Sequence, residues 1–205
     1  MKKIDIILAA IIGFLNGVFF FFILKQTGIE ISYPWFLQIM LNNPWILIII
    51  FPILAPIGLF IAFLIGKKLK ILFQAAKFFL VGTLNTFIDI GIVELLTFIT
   101  KIGAGMLVTF FKAISFLTAT INSYFWNKYW TFQKGEKAKP KEFLKFLVVT
   151  AIGFTINVLT FHVFFNIIGQ KFAISVGIWR IMSIIIAAFF AFLWNFLASK
   201  LIVFK

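Results

Sequence analysis

The 205-residue sequence has no cysteine, one histidine and only six acidic residues. Without cysteine there are no disulfides, no thiolate catalysis and no Cys-based metal sites. A single histidine gives no basis for a metal cluster. The aspartates are Asp5 and Asp89, so no Asp-x-Asp pair exists to hold a metal–nucleotide sugar. A Walker-type glycine-rich loop is absent as well. Chemistry on a soluble nucleotide donor would need another protein, so neither enzyme activity nor a cofactor is expected. Charge is also scarce, at 12% of residues against about 25% in soluble domains. Hydrophobic residues make up 63%, with 31 phenylalanines, and mean hydropathy is +1.13. That composition cannot cover a water-facing surface, which excludes a soluble globular domain and disorder and leaves an integral membrane protein.

A helical span needs about 20 apolar residues. Six runs qualify: Ile4–Leu24, Trp45–Gly66, Phe78–Thr100, Met106–Asn127, Phe146–Ile168 and Ile178–Ser199. Strand alternation is absent, so the expected fold is all-α, with six transmembrane helices and no β-barrel. Lys2, Lys3, Lys67, Lys68, Lys70, Lys77, Lys128, Lys134, Lys137, Lys139, Lys141, Lys145, Lys200 and Lys205 would lie on one side. Only Lys25, Lys101 and Lys171 would lie on the other. This bias predicts a multi-pass protein of the cytoplasmic membrane with both termini cytoplasmic. The net charge of +13 sits at span ends, where it suits anionic lipid headgroups rather than nucleic acid. No small-x-small site follows Leu24, so the first run is expected to be an uncleaved helix. Tyr33-Pro34-Trp35-Phe36-Leu37 suits a short interfacial helix. Pro52 and Pro56 are expected to kink the second span. Gly13-x-x-x-Gly17 permits close helix packing, within the chain or in a homo-oligomer.

The second half of the sequence repeats. Lys77-Phe78-Phe79-Leu80-Val81 matches Lys145-Phe146-Leu147-Val148-Val149 at an offset of 68. At that offset Asp89 falls on Asn157, Glu94 on His162, and Lys112 on Arg180. The endings Asn127-Lys128-Tyr129-Trp130-Thr131-Phe132 and Ser199-Lys200-Leu201-Ile202-Val203-Phe204 align at an offset of 72. Two helical hairpins of one orientation are expected, about 77–132 and 145–204, related by an axis along the membrane normal. They would form a four-helix domain over 77–205, with residues 1–76 as a two-helix addition.

Ionisable groups within spans cost about 2.5–3.5 kcal/mol each on insertion scales and usually face a bundle interior. Asp89, Glu94, Lys112, His162 and Arg180 are such groups. Glu94, Lys112, His162 and Arg180 would meet toward the outer side. There they would form a salt-bridge cluster that orients helices, a site for a charged, hydroxyl-rich substrate or, chiefly for Arg180, a snorkelling contact with the interface. Asn85 and Asp89 share a helix face, and Asn157 matches Asp89 in the second hairpin. Asn122, Asn127 and Asn195 add amides from other helices. Such a lining can bond neighbouring helices or bind sugar hydroxyls and phosphate oxygens. Lys128 and Lys200, beside aromatic residues, can anchor topology or pair with a lipid phosphate.

The start Lys77-Phe78-Phe79-Leu80-Val81-Gly82-Thr83-Leu84-Asn85-Thr86-Phe87-Ile88-Asp89 and the two endings resemble the GtrA-like family, which includes the membrane domain of some dolichol-phosphate mannose synthases. The resemblance covers about residues 77–205. It departs from the family pattern in the extra residues 1–76 and at Leu201-Ile202, where basic and aromatic residues are usual. It implies translocation of a polyprenyl-phosphate-linked sugar across the membrane for cell-surface glycosylation, beside a glycosyltransferase that loads the lipid. A non-transporting anchor for that glycosyltransferase is the alternative, with Lys128–Lys145 as its docking loop. The charged cluster also admits an ion or small-solute transporter.

Overall fold

A computed structural model describes residues 1–27, 43, 45–168 and 176–205. The expected interfacial segment Tyr33–Leu37 and the loop lysine Lys171 lie outside the described residues. Six α-helices follow one another: α1 (Lys3–Thr27), α2 (Ile46–Gly66), α3 (Lys70–Thr100), α4 (Met106–Trp126), α5 (Pro140–His162) and α6 (Val176–Ala198). Six helical stretches are long and apolar enough to cross a membrane. They pair as hairpins, α1 with α2, α3 with α4 and α5 with α6. The chain forms two compact units, Met1–Gln133 and Lys134–Lys205.

Several boundaries differ from the hydropathy reading. Helix α3 begins at Lys70 and α5 at Pro140, because helical geometry continues past the apolar run into basic residues. Proline is well suited to the α5 start, since its missing N–H would have had no partner there. The α4 and α6 helices continue as π-helical turns, Asn127–Thr131 and Ser199–Val203. Lys70, Lys77 and Lys128, expected in loops, are therefore helical residues. A third π-turn, Val163–Ile168, ends α5.

The two α4 and α6 turns close identically. Phe132 N–H donates to Asn127 O at 2.9 Å, and Phe204 N–H to Ser199 O at 2.8 Å. The ring pairs Phe78–Phe132 and Phe146–Phe204 are equivalent, with centroids 6.2 and 5.8 Å apart. Burial repeats too: Val81 with Val149, Ala119 with Ala191, and Tyr124 with Phe196. The repeat thus holds at an offset of 68 in the first helix and 72 in the second. The four extra residues fall after His162 and before Ile178. Counting along α4 and α6 then sets Ile184, not Arg180, opposite Lys112, and Trp194 opposite Asn122. The insertion required by the two offsets thus belongs to the connection between helices, and the match of Lys112 with Arg180 at an offset of 68 does not hold.

In the first unit, α1 packs on α2 through its two glycines. A Cβ on Gly13 would lie 2.3 Å from Phe51 O, and one on Gly17 2.5 Å from Leu47 O. The Gly-x-x-x-Gly motif is used within the chain, and only glycine allows backbones this close. Helix α2 runs unbroken through Pro52 and Pro56. Phe19 of α1 lies against Gly91 of α3, where a Cβ would sit 2.7 Å from its ring.

One end of this unit is fastened by charge. Lys77 Nζ donates to Asp5 Oδ1 at 2.5 Å, and both residues are buried, at 1% and 2% exposure. Trp130 Nε1 donates to the same oxygen at 3.1 Å, and the Lys2 amide to Oδ2 at 2.9 Å. The ammonium also lies 4.7 Å from the Phe73 ring centroid and 5.3 Å from that of Trp130. Three segments, α1, α3 and the π-turn after α4, thus meet at one ion pair.

Removing one partner of a buried pair leaves an uncompensated charge. Asp5→Ala and Lys77→Ala should each lower unfolding stability in detergent by about 3–5 kcal/mol, and Asp5→Leu/Lys77→Met should recover most of the loss. Denaturant titration followed by tryptophan fluorescence checks this; equal losses in the double variant would contradict it. Gly13→Ala should cost about 1–3 kcal/mol through overpacking. Gly82→Ala, with no atom within 4 Å of its new Cβ, should gain about 0.5–1 kcal/mol.

Candidate functional site

Three polar side chains of α3, Thr83, Asn85 and Asp89, bond to other helices. Thr83 Oγ1 accepts from Asn16 Nδ2 of α1 at 3.0 Å. Asn85 Oδ1 accepts from Asn122 Nδ2 of α4 at 2.8 Å, while Asn85 Nδ2 donates back to Val81 O at 2.7 Å. One turn further, Asp89 Oδ2 accepts from Lys112 Nζ, and Asp89 Oδ1 accepts from Ser115 Oγ at 2.6 Å. Positions 85 and 89 share one face of α3; 115 and 122 are seven apart and share one face of α4. The two antiparallel helices therefore present a polar stripe to each other within an otherwise apolar hairpin.

The stripe ends in the open. The side chains of Lys112 and Asp89 remain 57% and 24% exposed in their ion pair. Asp89 lies about 16 Å along α3 from Phe78, at 1.5 Å per residue, near the middle of the apolar run. A charge at that depth cannot face hydrocarbon without a cost of several kcal/mol. This face must therefore meet polar groups from water, protein or a bound molecule.

Lys112 pairs with Asp89 rather than with Glu94, because Asp89 is one turn closer along the facing helix. Glu94 is half-buried further along α3. Among the residues expected in one outer cluster, Lys112 and Glu94 lie in the first unit, and His162 and Arg180 in the second. His162 Nδ1 is 3.0 Å from Asn166 Nδ2 on its own helical face, and Arg180 is exposed near the start of α6. Asn157 is half-buried on α5. Asn195 lies against Gly153, where a Cβ would stand 2.1 Å from its Oδ1. That amide fills the contact between α5 and α6. Trp194 Nε1 beside it donates to Val149 O at 3.0 Å.

The repeated π-turns hold the second set of expected residues. Asn127 Nδ2 donates to Ser123 O at 2.9 Å, but Asn127 Oδ1 and Thr131 Oγ1 are buried with no hydrogen-bond partner among the described residues. The equivalent residue of the second hairpin, Ser199, leaves its Oγ in the same condition. Lys128 follows Asn127, is fully buried, and holds Nζ about 6 Å from the Tyr124 and Tyr129 rings. It is not the exposed topology anchor its sequence position suggests. Lys200, its equivalent, is half-buried. An insertion of π-type geometry breaks the regular carbonyl ladder and recurs at functional positions. Here it places a lysine and an unpaired oxygen at the same point in both hairpins.

Sequence reasoning missed Asp5 and Trp130 as members of a polar centre. The available signal was Asp5 itself, an acid in a helix whose remaining length is apolar. Beside α1 and α4 an open, largely apolar groove of about 510 Å³ runs past Leu8, Ile121, Asn122, Phe125 and Tyr129. No group of three His, Cys, Asp or Glu suited to a metal occurs among the described residues.

Residues 77–204 match the family described as GtrA/DPMS, transmembrane domain. The uncharacterized membrane protein YngA of Bacillus subtilis (strain 168) is 32% identical over 117 residues, covering 54% of this chain and 72% of that protein. No solved structure matches. Six candidate spans, the doubled hairpin with its two π-turns, and the match over 77–204 lead to one assignment: the chain is a multi-pass membrane protein belonging to the GtrA/DPMS transmembrane-domain family, a family linked to polyprenyl-sugar glycosylation.

Proposed function

We propose that this protein translocates a polyprenyl-phosphate-linked sugar across the cytoplasmic membrane. The observation that carries the reading is the half-exposed Asp89–Lys112 pair at mid-span, continued by Asn85 and Asn122. It gives a sugar head a polar face at the depth where crossing hydrocarbon is most costly. In this reading residues 77–205 are the transporting domain and 1–76 an addition to it, with both termini cytoplasmic. Lys128 and Lys200 hold the phosphate on the cytoplasmic side, and Lys112 or Arg180 receives it on the other. Asn157, Glu94 and His162 extend the polar lining, while Asn127 and Asn195 supply amides near the inner ends. The isoprenoid tail stays in lipid along apolar surface such as the groove beside α1 and α4. A cytoplasmic-side glycosyltransferase loads the carrier, and consumption of the sugar outside drives the net flow.

The second reading is a non-transporting anchor for that glycosyltransferase. It is favoured by the exposure of Lys137, Lys139, Lys141 and Lys145 in the connection to α5 and its first turns. An ion or small-solute transporter, the third reading, would pass ions without any lipid substrate.

Proteoliposomes loaded with a polyprenyl-phosphate sugar test these readings, with a membrane-impermeant enzyme reporting how much sugar reaches the outer face. Transport should require the protein, and Asp89→Ala or Lys112→Ala should slow it about tenfold, the equivalent of one lost charge-assisted hydrogen bond. Absence of translocation, with a glycosyltransferase copurifying only while the basic segment is intact, would replace this reading with the anchor. Unchanged rates in both variants would remove the polar stripe from the mechanism.

A further inference from the structure

A cavity of about 420 Å³ lies where α2 ends, α3 begins and the first π-turn closes. Lys67 and Lys70 stand on its rim, both exposed and neither in an ion pair among the described residues. Lys67 follows the end of α2, where a cation is favoured, but Lys70 is placed against the helix field at the start of α3. The start of a helix carries partial positive charge and favours anions. Yet the first turn of α3 has no acidic residue, and no side chain caps it at Leu69. Two ammonium groups and amides without a side-chain cap therefore share one corner, while the third lysine of the lining, Lys77, is neutralised by Asp5.

Thr131 supplies the independent sign of a ligand. It lines the cavity, is 1% exposed, and its hydroxyl has no hydrogen-bond partner among the described residues. A buried hydroxyl without a partner is costly and calls for one. Gln74 and Gln133 add further amides to the lining. Gln133 holds φ at 54°, a left-handed conformation that is unfavourable for a residue with a Cβ and is typical of binding sites. Phe63 and Phe73, edge to face at 5.5 Å, form an apolar wall. Gly66 permits this closure, since a Cβ there would meet Phe73 Cβ at 3.1 Å.

We propose that this cavity binds the phosphate headgroup of an anionic membrane lipid, with Lys67 and Lys70 facing the charge, Thr131 donating a hydrogen bond, and the aromatic wall taking the first carbons of the chain. Basic pockets between helices on the cytoplasmic side are the usual seats of such headgroups. The site lies at the junction between the N-terminal helices and the family-matched region. It does not depend on the transport reading, since a lipid held here could be carrier or bulk lipid.

The test is native mass spectrometry of the full chain in detergent, titrated separately with undecaprenyl phosphate, phosphatidylglycerol and zwitterionic phosphatidylcholine. Both anionic lipids, or one of them, should be retained in preference to phosphatidylcholine. Lys67→Gln/Lys70→Gln should weaken that retention about 25-fold, at about fivefold per lysine. Thr131→Val, which keeps the shape, should weaken it about fivefold. Lys101→Gln, at the opposite end of α3, should have no effect. Preference for undecaprenyl phosphate assigns the site to the carrier; preference for phosphatidylglycerol assigns it to bulk lipid. Equal retention of phosphatidylcholine, or unchanged retention in the double lysine variant, overturns the proposal. Loss of binding with translocation intact separates this site from the polar stripe.

Discussion

A lysine can be buried only where something neutralises it, and the first unit is arranged around that requirement at Lys77. Asp5 reaches it from the other end of the sequence separation, 72 residues away. The carboxylate is itself fully occupied, by the ammonium, the Trp130 indole and the Lys2 amide. Desolvating two charges is favourable only when the remaining bonding capacity is filled in this way. The pair therefore tolerates little displacement, and it fixes the start of α1 against the start of the membrane run of α3. The glycines at positions 13 and 17 then bring α2 against α1. The cavity at the α2–α3 corner depends on both contacts.

The same logic continues along α3. In hydrocarbon an unpaired polar group has no water to fall back on. Thr83, Asn85 and Asp89 each find their partner on a different layer of neighbouring helix. Association of apolar helices in lipid has little hydrophobic drive. Directional bonds of this kind set which faces meet. Only at Asp89 and Lys112 does the pairing leave substantial charge exposed. That is the one rung of the ladder whose geometry exceeds what helix packing alone requires.

Much of the architecture was legible in the sequence. Six apolar runs gave six helices, because length and hydropathy suffice where lipid is the solvent. The doubled hairpin was visible at its two ends, since Phe78, Phe132, Phe146 and Phe204 fill the same contacts in both copies. What escaped was of two kinds. Lys77 and Lys128 count as loop charges in any positive-inside tally, and their burial depends on partners that no local pattern reveals. The π-turns were invisible because a shift from i+4 to i+5 bonding changes neither composition nor hydropathy. Lys112 was placed with Glu94, His162 and Arg180 by depth along the spans alone. Its actual partner, Asp89, follows from which turns of two antiparallel helices face each other.

The two copies of the hairpin have diverged in an informative way. Asn85 corresponds to Gly153, Ser115 to Ala187, Lys112 to Ile184 and Asn122 to Trp194. The polar side chains at Asn85, Lys112, Ser115 and Asn122 are thus not repeated as such in α5 and α6, while Asp89 keeps a polar counterpart in Asn157. The second hairpin closes instead by seating Asn195 on Gly153 and bonding Trp194 to a backbone carbonyl. A duplicated element whose copies shared one load would be expected to keep the same side chains in both. What both copies keep is the end with the π-turn, lysine and terminal phenylalanine. Under the transport reading this divides the work. The shared ends suit capture of the carrier phosphate, and the first hairpin supplies the bonded polar stripe along which the sugar would pass. Two equal hairpins are the wrong picture of such a protein: polar side chains bond the helices of the first to each other, and the second closes by seating an amide on a glycine.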